Sequence, residues 1–173
     1  MAKHADPTLS SDKQDWQTPP EFFSILHRHW KFDIDLAARA DNALLPCYFS
    51  DLEPGRDALT NSWAGVRGFC NPPYGSMAGK FVAKAAQEQH RLEYAVLLVA
   101  ARLDTQWWWD YALQAEEIRF LKNRITFVGA PNNATFPNAL LIFRPHFRSF
   151  PIIRWWQWRN RNQFGSWNTG LRE

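Results

Sequence analysis

Gly68-Phe69-Cys70-Asn71-Pro72-Pro73-Tyr74 is the stretch on which the fold turns. Gly68-Phe69-Cys70 is short and apolar and reads as a buried strand, which runs straight into a loop stiffened by two prolines. The loop carries chemistry of its own. The Asn71 side-chain oxygen accepts a hydrogen bond from an NH₂ group. The prolines fix φ and remove backbone donors, so the Pro72 carbonyl can face the same NH₂ without a competing N–H. The Tyr74 ring offers a face on which another flat ring stacks. Together these groups suit the handling of an exocyclic amino group on a base taken out of a duplex. A plain turn is the bland alternative.

Outward from this stretch, helix and strand signals alternate. Thr18-Pro19-Pro20-Glu21 reads as a helix start, with Thr18 as N-cap, proline in the first turn and Glu21 completing a capping box. The helix runs through Phe22, Phe23 and Leu26 to about His29. Lys31 to Leu36 reads as a short strand that ends in acid at Asp35, and Ala37 to Leu45 as a short helix. Pro46 to Thr60 is loop-like, with a turn at Pro54-Gly55. Gly75 to Gly79 reads as a flexible loop and Lys80 to Gln89 as a helix. Tyr94 to Ala101 is the clearest buried strand, and Thr105 to Ala115 a helix. Glu117 to Leu121 and Ile125 to Val128 read as a strand pair, or as a strand and its approach. A polar loop over Gly129 to Thr135 precedes another short apolar strand, Ala139 to Phe143. This order predicts an α/β sheet, mostly parallel, with an antiparallel strand late.

The bulk numbers are consistent with one domain. The chain has 173 residues, 46% hydrophobic and 21% charged, with a net charge of +3. We expect residues 1–14 to be a flexible N-terminus and 15–173 a single domain. No apolar run is long enough for a transmembrane helix, and the polar start lacks the apolar core of a secretory signal. Two cysteines, Cys47 and Cys70, point to a reduced cytoplasmic setting and are too few for a disulfide framework or a zinc site. The charge is unevenly placed. Residues 144–173 hold six arginines, one acid and four tryptophans. Arginine interleaved with tryptophan pairs with phosphates and stacks on bases. The bland reading is a terminal strand that buries its tryptophans and leaves its arginines in solvent.

Ligands of open α/β sheets bind beyond the carboxyl ends of the strands. Asp35 and Asn71 fall at such ends, and Asp57 lies in the loop between them. An acid at the end of an early strand binds ribose hydroxyls or an ammonium group. A helix cap for Asp35 and a turn for Asp57 are the competing roles. The chain has no Gly-x-Gly-x-x-Gly, no phosphate-binding Gly-x-x-x-x-Gly-Lys, no metal-spaced cluster and no Gly-x-Ser-x-Gly elbow. Its five histidines are scattered.

Beyond these local readings, an ordered set of motifs resembles a known family. Asp15-Trp16-Gln17-Thr18-Pro19-Pro20, Phe32-Asp33-Ile34-Asp35-Leu36-Ala37-Ala38 and Asn71-Pro72-Pro73-Tyr74 come first. Arg102-Leu103-Asp104-Thr105, Phe120 to Phe127 and Phe136-Pro137-Asn138-Ala139-Leu140 follow. The set resembles the small phage-type Dam DNA N6-adenine methyltransferases over roughly residues 15–145. The resemblance implies a compact Rossmann-like sheet, S-adenosyl-L-methionine as cofactor, double-stranded DNA as substrate, no metal, and host-cell cytoplasm as location. It implies that Asn71, Pro72, Pro73 and Tyr74 form the catalytic loop around a flipped adenine. Trp16, Thr18, Pro19, Asp35, Ala37 and Asp57 are the implied cofactor-binding residues. Asp35 suits either the methionine side or the ribose side of the cofactor. Ala37-Ala38 stand where a glycine motif is usual.

The chain has no room for a separate recognition domain. DNA contacts are therefore expected from Arg102, Lys122, Arg124, Asn133, Arg154, Arg159 and Arg161, with Ser76 to Lys80, Asp104 and Asn132 nearby. The alternatives are the same chemistry on cytosine N4 or on RNA, and a nucleic-acid-binding relative that has lost catalysis. Oligomeric state is open.

Overall fold

The structure is a computed structural model that describes residues 16–50, 53–145 and 149–159. Its strands are β1 (Ile34–Asp35), β2 (Arg67–Cys70), β3 (Tyr94–Ala100), β4 (Glu117–Leu121), β5 (Asn138–Phe143) and β6 (Ile152–Trp156). The helices are α1 (Pro20–Trp30), α2 (Ser76–Glu88) and α3 (Gln106–Asp110). All six strands join one sheet in the order β1-β2-β3-β5-β4-β6. The pairs β1·β2, β2·β3 and β4·β6 are parallel. β5 runs antiparallel to both its neighbours, β3 and β4. The mostly parallel sheet with one late antiparallel strand is therefore present.

Helices cover both faces, which is why β3, and β5 after Asn138, run apolar instead of alternating. On β3, Ala95, Leu97 and Val99 join the core under α2 and α3, with Phe81, Val82, Ala85 and Trp108. Val96 and Leu98 turn the other way, onto Phe22, Phe23 and Leu26 of α1. Leu141 and Phe143 of β5 share the first core, and Leu140 and Ile142 the second. Because β5 is reversed, its first residue, Asn138, pairs with Ala100 at the end of β3. The start of β5 and the ends of β1 to β4 thus share one edge. No described helix is long and apolar enough to cross a membrane.

Several local expectations are corrected. Thr18 does not cap α1. The cap is Pro19 (φ −59°, ψ 132°), and no side chain closes it. Pro20 in the first turn keeps the residue before it out of the helical region, so the helix begins one position later than a Thr18 cap requires. Ala37 to Leu45 is a set of turns, not a helix. The Asp35 carboxylate accepts from the Ala37 and Leu44 amides, and Asn42 from the Arg39 amide, which ties the backbone away from a helical ladder. Gly75 to Gly79 is not a loop. Only Gly75 (φ 85°) turns the chain, and α2 starts at Ser76. Gly79 serves close packing instead, since a Cβ there would stand 3.0 Å from the Trp107 side chain. The helix expected over Thr105 to Ala115 breaks at Tyr111 (φ −127°) into α3 and a 3-10 turn. Ile125 to Val128 is not a strand. Asn123 (φ 70°) swings the chain out of the sheet, leaving one bridge from Val128 to Gln17.

Gly68 of β2 lies against Leu36, and a Cβ at that position would come within 2.9 Å of Leu36 Cγ. Gly68→Ala is expected to cost about 1–3 kcal/mol by overpacking. Urea unfolding should show a lower midpoint at unchanged slope, and an unchanged midpoint would refute the close approach.

Candidate active site at the carboxyl edge of the sheet

β1 and β2 are neighbours in the sheet, with no helix among the described residues between them, so Asp35 and Asn71 emerge side by side. Asp35 pairs in register with Phe69, and the Leu36 amide donates to the Phe69 carbonyl at 2.7 Å. The segment 47–49 latches the other side of β1. The Asp35 amide donates to the Cys47 carbonyl at 3.0 Å, and the Phe49 amide to the Asp35 carbonyl at 2.8 Å. Above these ends opens a cleft of about 730 Å³, counting its open mouth. Trp16, Thr18, Asp35, Ala37, Asp57, Asn71, Pro72 and Pro73 line it. The fold brings together eight of the residues singled out from the sequence. Pro19 is not among the lining, and neither is Tyr74.

Asn71 is half-buried and its amide is fixed. Nδ2 donates to the Trp16 carbonyl at 2.6 Å, so Oδ1 must point the other way; it is buried and has no partner. Buried polar atoms are nearly always paired, and this one belongs to a residue that lines the cleft. Thr18 repeats it: its hydroxyl is buried against the same cleft without a partner. Gln17 bridges Val128, so residues 16–18 span from the Asn71 loop to the segment between β4 and β5.

Asp35 is 3% exposed, and each of its carboxylate oxygens accepts one backbone amide at 3.3 Å. Burial pushes its pKa up to about 6, against the pull of those two amides. A cationic or hydroxylic ligand group would relieve that burial. Asp57 Oδ1 accepts from the Leu59 amide at 2.9 Å in a turn, and the residue lines the cleft.

Tyr74 packs beside the cleft. Its ring lies 5.1 Å from Phe136 and 5.7 Å from Phe127, and Asn138 Nδ2 donates to its hydroxyl. Desolvation raises the phenol well above its ordinary range, so it stays neutral.

The candidate DNA contacts divide by position. Arg102, Lys122, Arg124 and Asn133 are exposed in segments that leave the carboxyl edge. Arg102 lies over the Phe136 ring at 6.0 Å, and Arg124 donates to the Ala134 carbonyl at 3.3 Å. Asn133 accepts from the Thr126 hydroxyl. Arg154 is on β6, four strand spacings from β2, or about 19 Å. Its Nε pairs with Glu117 at 3.0 Å. Arg159 covers the Trp158 ring, which is buried on Phe22, whereas Trp155 is 76% exposed. Arg161 lies outside the described residues.

Sequence reading missed Arg39, Asn42, Phe49, Ser50 and Phe81 in the cleft wall. Arg39, Asn42, Phe49 and Ser50 come from irregular segments with no periodic signature. Phe81 lies on the helix face it shares with Val82 and Ala85 and carries no chemistry that marks it as a site residue. Sequence reading also missed Asn138, for which a signal exists: a polar residue heads an apolar run, just as Asn71 ends one.

Comparison with known proteins gives this site a context. A family model described as DNA N-6-adenine-methyltransferase (Dam) matches residues 6–164. A protein of Haemophilus phage HP1 (strain HP1c1) named DNA N-6-adenine-methyltransferase is 28% identical over 149 residues, covering 80% of this chain and 83% of that protein. A protein of Escherichia phage T1 with the same name is 28% identical over 113 residues, covering 64% of this chain and 46% of its own length.

The buried carboxylate sets a pH dependence. Asp35 ionises near 3.8 in the unfolded chain and at about 6 in the folded one. As pH rises from about 4 to 6, the unfolded chain loses its proton first, so this residue lowers stability by about 3 kcal/mol across that window and no further above it. Asp35→Asn removes the dependence. Thermal melts of both proteins should draw apart between pH 4 and 6.5 in favour of the variant, and parallel curves would refute the burial cost.

Proposed function

The chain belongs to the DNA N-6-adenine-methyltransferase (Dam) family, and from that premise we propose that it methylates N6 of an adenine flipped out of duplex DNA, with S-adenosyl-L-methionine as donor. The enzyme class, an adenine-specific DNA methyltransferase, follows from the family. The observation that carries the finer reading is the buried, unpaired Oδ1 of Asn71, a residue that lines the cleft and whose Nδ2 is engaged by the Trp16 carbonyl. We read the sheet as Rossmann-like, with donor and base meeting at its carboxyl edge.

S-adenosyl-L-methionine, when bound, supplies an electrophilic methyl group on sulfur. The cleft's chemistry suits it. Asp35 would offer a carboxylate to an ammonium or to ribose hydroxyls, Thr18 an unpaired hydroxyl, and Asp57 a second carboxylate for the cofactor's adenine end. Ala37 has a side chain small enough for close approach.

The remaining work falls to the chain. The adenine amino lone pair is delocalised into the ring and is a poor nucleophile. Asn71 Oδ1 and the Pro72 carbonyl accept the two N6 hydrogens, drawing the nitrogen toward tetrahedral geometry and localising the lone pair for attack. Tyr74 provides the stacking face that holds the flipped base. Both acceptors are neutral and fixed before substrate arrives, so no covalent nucleophile is required.

Arg102, Lys122, Arg124 and Asn133 surround this edge, and we assign them phosphate and base contacts. Arg154, held by Glu117 on the far strand, contributes less to DNA binding than these.

Asn71→Ala is expected to lower methyl transfer from labelled cofactor to DNA by at least about 10²-fold. Cofactor binding, measured by calorimetry, and the melting temperature should stay near those of the parent. A variant that keeps its rate would overturn the assignment of Asn71. Tyr74→Ala should slow the same reaction by about 1–3 kcal/mol through lost stacking, and an unchanged single-turnover rate would count against base flipping.

A further inference from the structure

Asn138 opens β5 ahead of Ala139-Leu140-Leu141-Ile142-Phe143 and is 1% exposed. Nothing about core packing calls for an amide there. One end, Nδ2, reaches the Tyr74 hydroxyl at 3.5 Å, the outer limit of a hydrogen bond. The other end, Oδ1, is buried without a partner. Turning the amide over exchanges donor and acceptor and leaves the same arrangement: one end on Tyr74, one end unpaired. A buried amide left half-satisfied is costly and is kept where it does something else.

What it touches is the ring assigned above to stack on adenine. Tyr74 is bounded by Pro73 and by Gly75 at φ 85°. Its ring meets Phe127 and Phe136, whose contacts are apolar and weakly directional. The hydroxyl is the ring's polar handle, and Asn138 holds it from a strand clamped between β3 and β4.

We propose that Asn138 is a positioning residue for adenine methylation: its amide grips the Tyr74 hydroxyl and sets the plane of the ring on which the flipped base stacks. This rests on the reading of Tyr74 as the stacking face. The base is recognised by Asn71 and Pro72; Asn138 acts through Tyr74 and has no contact with the reacting atoms.

Methylation kinetics of Tyr74→Phe, Asn138→Ala, the double variant and Tyr74→Ala test this. Tyr74→Phe and Asn138→Ala should each lower kcat about tenfold with KM for the cofactor within twofold. The double variant should be no slower than either single one, because both remove the same bond. Tyr74→Ala should be slower still. A roughly hundredfold additive loss in the double variant, or a wild-type rate for Tyr74→Phe, overturns the proposal. If Asn138→Ala fails to fold, Tyr74→Phe decides alone: a tenfold loss in kcat supports the grip and an unchanged kcat refutes it. If Tyr74→Ala keeps full rate, the stacking reading itself falls and Asn138 falls with it. A collapse of Tyr74→Ala alone sinks only the role of Asn138.

Discussion

The hydrogen bond from Asn71 Nδ2 to the Trp16 carbonyl is the constraint on which the site depends. An amide side chain is an acceptor or a donor according to which end faces the substrate. By engaging Nδ2 with a backbone carbonyl, the fold leaves only the oxygen to receive an amino group. The cost is a buried acceptor without a partner, offset by the packing of residues 16–18 and the proline loop around it. Remove Trp16 from this place and Asn71 is free to turn over, presenting a donor where the chemistry we propose needs an acceptor.

The sheet supplies the rest by adjacency. Because β1 and β2 pair directly, the buried acid at Asp35 and the amide at Asn71 reach the same edge only one strand apart. Reversal of β5 brings Asn138 to that edge as well, beside Tyr74. Acid, amide and aromatic ring thus come from three separate stretches of chain, around Asp35, Asn71 to Tyr74 and Asn138, without a long loop to hold them. The arginines follow the same geometry. Those on segments leaving this edge face the cleft's surroundings, whereas Arg154 on β6 is committed to Glu117.

Much of this was legible in the chain itself. The apolar runs on β3 and β5 are continuous because both faces are covered, so they stand out whatever their neighbours do. The place of Asn71 at the end of a buried strand was legible because two prolines after such a strand leave few local conformations. What was not legible has a physical pattern too. Thr18 looked like a helix cap because its spacing to Glu21 fits a capping box, but Pro20 moved the helix start and released Thr18 to the cleft. Gly75 to Gly79 looked flexible because it holds two glycines. One turns the chain, and the other makes room for Trp107. Ala37 to Leu45 carried helical residues, yet Asp35 claimed its amides. Thr18 was displaced by the backbone demand of Pro20, Gly79 was held by the packing of Trp107, and the turns over 37–45 by bonds to the Asp35 side chain.

The most direct measurement is a crystal structure of the protein with duplex DNA and an S-adenosyl-L-methionine analogue bearing an amine in place of the reactive methyl. The target adenine should lie outside the duplex, with N6 within hydrogen-bonding distance of Asn71 Oδ1 and the Pro72 carbonyl, and the analogue in the cleft beside Asp35. An adenine still stacked in the duplex, or an analogue bound away from Asp35 and Asn71, would contradict that arrangement.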